Sequence, residues 1–242
     1  MAEMGHIDKR TLAERAYDAV RKLLLNEEIG AGETLCIDDL ACQLNVSTTP
    51  IREALSRFES EGLISLPPSK QPVVRRLSGD EVKTLYDVRS VLEPYLMGLL
   101  ATQAATKPDV REQLEDLLHN LRDGHTNAGS TTTDKAPIKV DHRLGEILLA
   151  ACGNPLLESL LRLLNNHILL LRLTSADAPE KHRGERREEV SQEHCVLVAA
   201  ILDGNKSAID KALAEHLSRS SVRSTEALGS VNSSLQQSQT SP

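Results

Sequence analysis

From Glu81 to Arg223, leucine, valine, isoleucine and alanine recur every three or four residues in six successive runs, a spacing that gathers them on one face of an α-helix. The runs cover 81–106, 108–123, 138–151, 155–174, 183–203 and 206–223. Hydrophobic residues make up 40% of the chain but aromatic ones only 2%, with no Trp, so the core is aliphatic, a composition suited to packed helices. At 242 residues the chain is long enough for two ordinary domains.

The first 77 residues follow another plan. Leu12, Ala16, Val20, Leu23 and Leu24 share a helical face, and that run stops at Gly30-Ala31-Gly32. A second short helix spans Ile37–Leu44, opened by Asp38 and Asp39 and closed at Asn45, whose side chain tolerates a left-handed backbone. A third starts in Ser47-Thr48-Thr49-Pro50, where hydroxyls suit the free amides and Pro50 suits the first turn, and its stripe is Ile51, Leu55, Phe58, Leu63. Two apolar pieces, 63–66 and 73–74, flank Pro67-Pro68-Ser69-Lys70-Gln71-Pro72 and read as a hairpin. Three helices and a hairpin make a winged helix-turn-helix. The expected fold is mainly α: a winged helix-turn-helix over 8–77, an all-α helical bundle over 78–223 that binds an effector and dimerises, and a Ser- and Gln-rich disordered tail over 224–242. The segment 125–137, rich in Thr, Ser, Gly and Asn, is expected to be a flexible loop.

The formal charge of −7 opposes nonspecific coating of nucleic acid, which needs many clustered cations. A basic face is nevertheless local. Residues 46–77 hold five basic side chains (Arg52, Arg57, Lys70, Arg75, Arg76) against three acidic ones. In a helix-turn-helix the start of the second helix enters the major groove, and here that end carries Ser47, Thr48, Thr49 and Arg52. Arg52 offers two parallel donors to a guanine or a phosphate, while Arg57, Lys70 and Gln71 suit the DNA backbone or the minor groove. The competing expectation is that the hydroxyls only cap the helix and Arg52 pairs with Glu53 or Glu59.

Polar residues interrupt the apolar stripes of the second domain. Arg89 falls on the face of Val82, Leu85, Leu92 and Leu96, and Asp141 on that of Ile138, Leu144 and Leu148. His194 lies between Val190 and Leu197 on a stripe ending at Ile201, and His216 continues Ile209 and Leu213. An inward arginine needs neutralising, either by a salt bridge to a neighbouring helix, for instance through Glu93, or by a carboxylate ligand. Asp141, His194 and His216 suit one metal or one acid, and equally suit hydrogen-bonded core positions.

The stretch LCIDDLACQLNVSTTPIREALSRFESEGLI resembles the winged-helix domain of the GntR family, FadR branch, through Val-Ser-x-Thr-Pro-x-Arg-Glu-Ala-Leu and Glu-x-Glu-Gly-Leu. It departs at Thr48, where that family usually has Arg, and at Gln71, where its wing usually has Gly. VDHRLGEILLAACGNPLLESLL, QEHCVLVAAILDGN and EHLSRS are similar to the family's C-terminal (FCD) domain. The resemblance implies a divalent metal (zinc, nickel or manganese) held by one Asp and three His and assisting a small organic acid. Asp141, His194 and His216 match three of those positions, and the fourth is Gly145, with no side chain to coordinate. His142 is about 100° around the helix from Asp141 and is a poor substitute. The resemblance also implies a homodimer on palindromic operator DNA, a repressor of a metabolic operon released by its effector.

Four cysteines without a C-x-x-C pair, and an opening MAEMGHIDKR without an apolar core, suggest a reduced cytoplasmic protein. The longest apolar runs, such as Ile168–Leu171, fall far short of the ~20 residues of a membrane span. The chain is read as a non-enzyme. A helical metal hydrolase built on the same three residues is the second reading, weakened because no inward Glu or Asp is identifiable as a general base and the first domain would be unexplained. A DNA-binding module whose second domain only dimerises is the third.

Overall fold

The structure is a computed structural model and describes residues 11–68, 70–126, 136–176 and 183–239. Two compact units divide at Arg75/Arg76, two residues before the boundary expected from the sequence.

The first unit contains α1 (Leu12–Leu25), α2 (Ile37–Leu44), α3 (Thr48–Ser60), β1 (Ile64–Ser65) and β2 (Val73–Val74). α1 opens on a capping box: Thr11 accepts from the Glu14 amide and Glu14 accepts from the Thr11 amide. α2 ends on Asn45 at φ 51°, the left-handed closure expected there. Ser47 stands before α3, but its side chain makes no capping hydrogen bond, contrary to expectation, so the hydroxyl remains free for another acceptor or donor. The strands pair antiparallel with Ile64 opposite Val74 and Ser65 opposite Val73. Thr34, before α2, bridges Val73 as well, and the Leu35 amide donates to the Pro72 carbonyl, so the segment before α2 anchors the wing. Val20, Leu24, Ile51, Leu55, Phe58, Leu63 and Val74 close the core, with the Tyr17 ring stacked on Phe58 at 4.3 Å.

The second unit is helical: α4 (Gly79–Thr106), α5 (Pro108–Thr126), α6 (Ala136–Cys152), α7 (Pro155–Ala176), α8 (Arg183–Asp203) and α9 (Lys206–Gln239). Ser78 and Glu81 form the capping box of α4. α4 is central and packs against each of the other five helices of the unit, and Leu96, Leu100, Leu114, Ile147, Leu161, Leu170, Val198, Ile201 and Leu213 are almost fully buried. The loop expected over 125–137 is helical at both ends, to Thr126 and from Ala136, and the rest of it lies outside the described residues.

The disorder expected from residue 224 onward is corrected: α9 continues to Gln239. Ser224, Ala227, Leu228 and Val231 are buried at helical spacing, and the Tyr86 hydroxyl on α4 bonds Ser220 Oγ at 2.7 Å and Ser224 Oγ at 3.0 Å. A stripe of small residues carries little hydrophobic signal in sequence, yet extending a helix already formed has no new nucleation cost. Residues 240–242 lie outside the described residues. No helix among the described residues is long and apolar enough to cross a membrane.

Candidate functional site

α3 turns Ile51, Ala54, Leu55 and Phe58 into the first unit and leaves Ser47, Thr49, Arg52, Glu53 and Ser56 exposed, while Thr48 is half-buried. Arg52 makes no ion pair or hydrogen bond among the described residues, so the pairing with Glu53 or Glu59 is not found. Arg57 is committed elsewhere: Nε lies 2.9 Å from Glu61 Oε1 and the guanidinium sits 3.9 Å from the Tyr17 ring centroid. Glu61 also accepts from the Tyr17 hydroxyl at 2.5 Å, and burial with this bond pushes the phenol up to about 12. Arg57 therefore braces α3 against α1. Lys70 and Gln71 are exposed on the wing.

In the second unit α4, α6, α8 and α9 bring Arg89, Asp141, His194 and His216 to one small cavity of about 40 Å³. Asp141, His194 and His216 each place a donor atom within 4.8 Å of the others. His194 is 1% exposed and His216 4%, so neither ring is a surface accident. His194 Nε2 lies 2.8 Å from Asp141 Oδ1, and the two imidazoles are 4.8 Å apart. An ionised carboxylate only accepts, so His194 Nε2 is the donor of this bond. His194 Nδ1 is buried with no hydrogen-bond partner.

His216 is oriented from behind. Its Nδ1 donates to Glu193 Oε2 at 2.9 Å, which frees the Nε2 lone pair. Burial pushes the His216 imidazole below its ordinary pKa despite the pull of Glu193, favouring the neutral, ligating form. Burial works against the Asp141 carboxylate, but the charge and hydrogen bond of His194, with His216 and Arg172, hold it well below the usual carboxylate range. An ionised carboxylate, the His216 Nε2 lone pair and the His194 ring, with donor atoms within 4.8 Å of one another, fit a divalent cation.

Arg89 is 4% exposed and pairs within its own helix, Nε to Glu93 Oε1 at 2.5 Å and Nη2 to Glu93 Oε2 at 3.5 Å. Glu93 is the partner expected, but the bridge closes within α4 because the two stand one turn apart, not across to a neighbouring helix, and Arg89 still faces the cavity. Burial opposes its charge, and Glu93 more than restores it. The view that no Glu points inward is corrected: Glu93 and Glu193 are both buried. Glu193 is occupied by His216, by Arg223 through two bonds of 2.8 Å, and by Arg219 at 3.5 Å, so both acids are salt-bridged rather than free as general bases.

At Gly145 a Cβ would lie 2.5 Å from Asn165 Nδ2, 2.8 Å from Oδ1 and 2.9 Å from Cγ. Asn165 belongs to α7 and lines the same cavity. Glycine inside a helix costs roughly 0.5–1 kcal/mol relative to alanine, and here the Asn165 amide takes the space a Cβ would fill. His142 takes no part: it turns toward Glu146, 3.9 Å away.

The FCD domain model matches residues 84–219, more than half of the chain, and the model of bacterial regulatory proteins of the gntR family matches residues 12–70. The chain belongs to the GntR family and carries an FCD domain. This GntR-type protein is 25% identical over 201 residues to the uncharacterized HTH-type transcriptional regulator YdhC of Bacillus subtilis, covering 83% of this chain and 85% of the relative. It is 25% identical over 222 residues to the HTH-type transcriptional repressor NanR of Citrobacter rodentium, covering 86% and 84%. Among solved structures it resembles E. coli McbR/YncC, with a TM-score of 0.73 at 22% identity over 90% of this chain and 98% of that one, a likeness of fold. The GntR-type protein is thus a DNA-binding transcriptional regulator, mainly α-helical with a winged helix-turn-helix and an FCD bundle. Sequence reasoning missed three of its site residues, Glu193, Arg223 and Asn165. Glu193 carried a signal, since it directly precedes His194 in the stretch that resembles the FCD pattern. Nothing in the local pattern marks Asn165.

Proposed function

We propose that this chain is a FadR-branch regulator that, as a homodimer in the cytoplasm, represses a metabolic operon until a small organic acid binds its FCD pocket. The observation that carries the reading is the gathering of a half-buried Asp141 with the buried His194 and His216 in an aliphatic bundle. Buried polar clusters oppose stability unless they do something else, and these groups have the chemistry to hold an acid, directly or through a divalent metal. Arg89 adds positive charge at the same cavity.

Asp141, His194 and His216 would hold the metal. The ion would supply positive charge for the acid's carboxylate, and Glu193 keeps the His216 lone pair available. On the DNA side Ser47, Thr48, Thr49 and Arg52 would meet the major groove, with Lys70 and Gln71 on the backbone or the minor groove. Arg57 would contribute field rather than a base contact, because Glu61 and Tyr17 hold it. Acid binding favours one dimer geometry, and linkage weakens the operator complex by the same factor. Names such as the gluconate operon transcriptional repressor of Bacillus licheniformis, 32% identical over 90 residues and 37% of each chain, accord with repression of a catabolic operon.

Gly145 favours a second reading, in which the pocket has lost its ligand and the domain only dimerises. A thermal-shift screen of sugar acids, dicarboxylates, amino acids and aromatic acids, with fluorescence anisotropy on a palindrome upstream of the neighbouring operon, separates the two. An acid that raises Tm and releases the DNA supports sensing. DNA binding with no response to any acid in the screen supports the second reading.

A further inference from the structure

We propose that Asn165 of α7 replaces the imidazole missing at Gly145: its amide oxygen is the fourth protein donor to a divalent cation held by Asp141, His194 and His216. The inference rests on the metal-assisted reading of the pocket and adds the residue that completes it.

Three observations carry it. Gly145 lies one helical turn after Asp141 on α6, the side of that helix that lines the cavity, and Asn165 lines the cavity beside it. The amide lies so close above the Gly145 Cα that no side chain at 145 coexists with it in this place. Asn165 makes no hydrogen bond among the described residues, although it is half-buried and lines the same cavity as a carboxylate and two imidazoles. An amide that occupies the volume of a ligand side chain, and keeps both its polar atoms uncommitted, has the properties of a substituted ligand. The cavity of about 40 Å³ has room for an ion.

The exchange also has a chemical consequence. An imidazole nitrogen favours nickel and zinc, whereas an amide oxygen is a hard donor that suits manganese. With Asn165 in place of a histidine, discrimination between nickel and manganese narrows.

The test is a calorimetric titration of the chelator-treated full-length protein with manganese and with nickel alone, for wild type, Asn165→Ala, Gly145→Ala and the double variant, with thermal melts as the folding control. Expected are manganese binding by wild type, a loss of about tenfold or more in Asn165→Ala, and a similar loss in Gly145→Ala, whose new methyl displaces the amide. In the Asn165→Ala background the Gly145→Ala change is then nearly silent, since the two act through one contact. Equal affinity in wild type and Asn165→Ala overturns the proposal and leaves a three-donor site. Failure of wild type to take up either metal overturns the proposal and the metal together, and leaves acid sensing to be judged by the metal-free thermal shift.

Discussion

His216 on α9 donates from Nδ1 to Glu193 on α8 across 2.9 Å, and the same carboxylate accepts two bonds of 2.8 Å from Arg223 one helical turn pair further along α9. One buried acid thus sets the tautomer of a pocket histidine and ties α8 to α9. Removing its charge takes from Arg223 its hydrogen-bonded counter-charge and lets the His216 ring turn.

Glu193→Gln accordingly lowers stability at neutral pH. Burial works against the Glu193 carboxylate, but the bonds from Arg223 and His216 hold its pKa at about 2, below the ordinary 4.5. Between those values the unfolded chain binds the extra proton, so the stabilisation is complete above pH 4.5 and fades as pH falls toward 2. Urea unfolding at pH 6 and pH 3 is expected to show the wild-type advantage over Glu193→Gln shrinking by about 2 kcal/mol. An advantage independent of pH would sink this account.

Arg52→Ala is expected to weaken operator binding by roughly 1–3 kcal/mol without changing Tm, because Arg52 is exposed and makes no contact that holds the fold. Arg57→Ala should do the reverse in part, lowering Tm through the lost Glu61 and Tyr17 contacts. Anisotropy on the operator and a thermal melt of each variant decide the matter. A lower Tm with unchanged DNA affinity in Arg52→Ala would reverse the assignment.

Histidine introduced at 145 meets the Asn165 amide, which must swing aside, so Gly145→His alone is expected to gain less nickel affinity than the double variant. Gly145→His combined with Asn165→Ala relieves the clash, and nickel binding should then exceed that of wild type by about tenfold or more. Nickel affinity unchanged in the folded double variant contradicts a shared position for the two side chains.

Truncation after Arg223 removes Ser224, Ala227, Leu228 and Val231, all buried, and one of the two hydroxyl partners of Tyr86. The truncated chain should lose several degrees of Tm, and Leu228→Ala alone roughly 2–3 kcal/mol. An unchanged melt would mean that the last stretch of α9 adds nothing to the bundle.

Much of this molecule is legible locally. Asn45 ends α2 in the left-handed region as its side chain allows, and Ser78 with Glu81 opens α4 through a capping box. The inward placement of Arg89, Asp141, His194 and His216 follows from counting residues along helices, and all four do reach one cavity. What failed was non-local. The third strand-like contact of the wing comes from Thr34, thirty-nine positions before Val73 and outside any hairpin signal. The last stretch of α9 rests on serine and alanine, which the hydrophobic period hardly registers, and on a hydroxyl of α4.

The amino-acid sequence by itself determined the two-part organisation, the helix order and the polar residues that interrupt each stripe, because caps, turns and periodicity act within a few residues of one another. It also determined that position 145 lacks a side chain. Only the tertiary structure decided what occupies that space, since Asn165 reaches Gly145 from another helix twenty positions away and nothing short of the packing of α6 against α7 brings them together. The partner of His216 was settled in the same way, since Glu193 reaches its ring from α8 only once the helices close, whereas Glu93 stands one turn from Arg89 on α4 and was legible in the sequence.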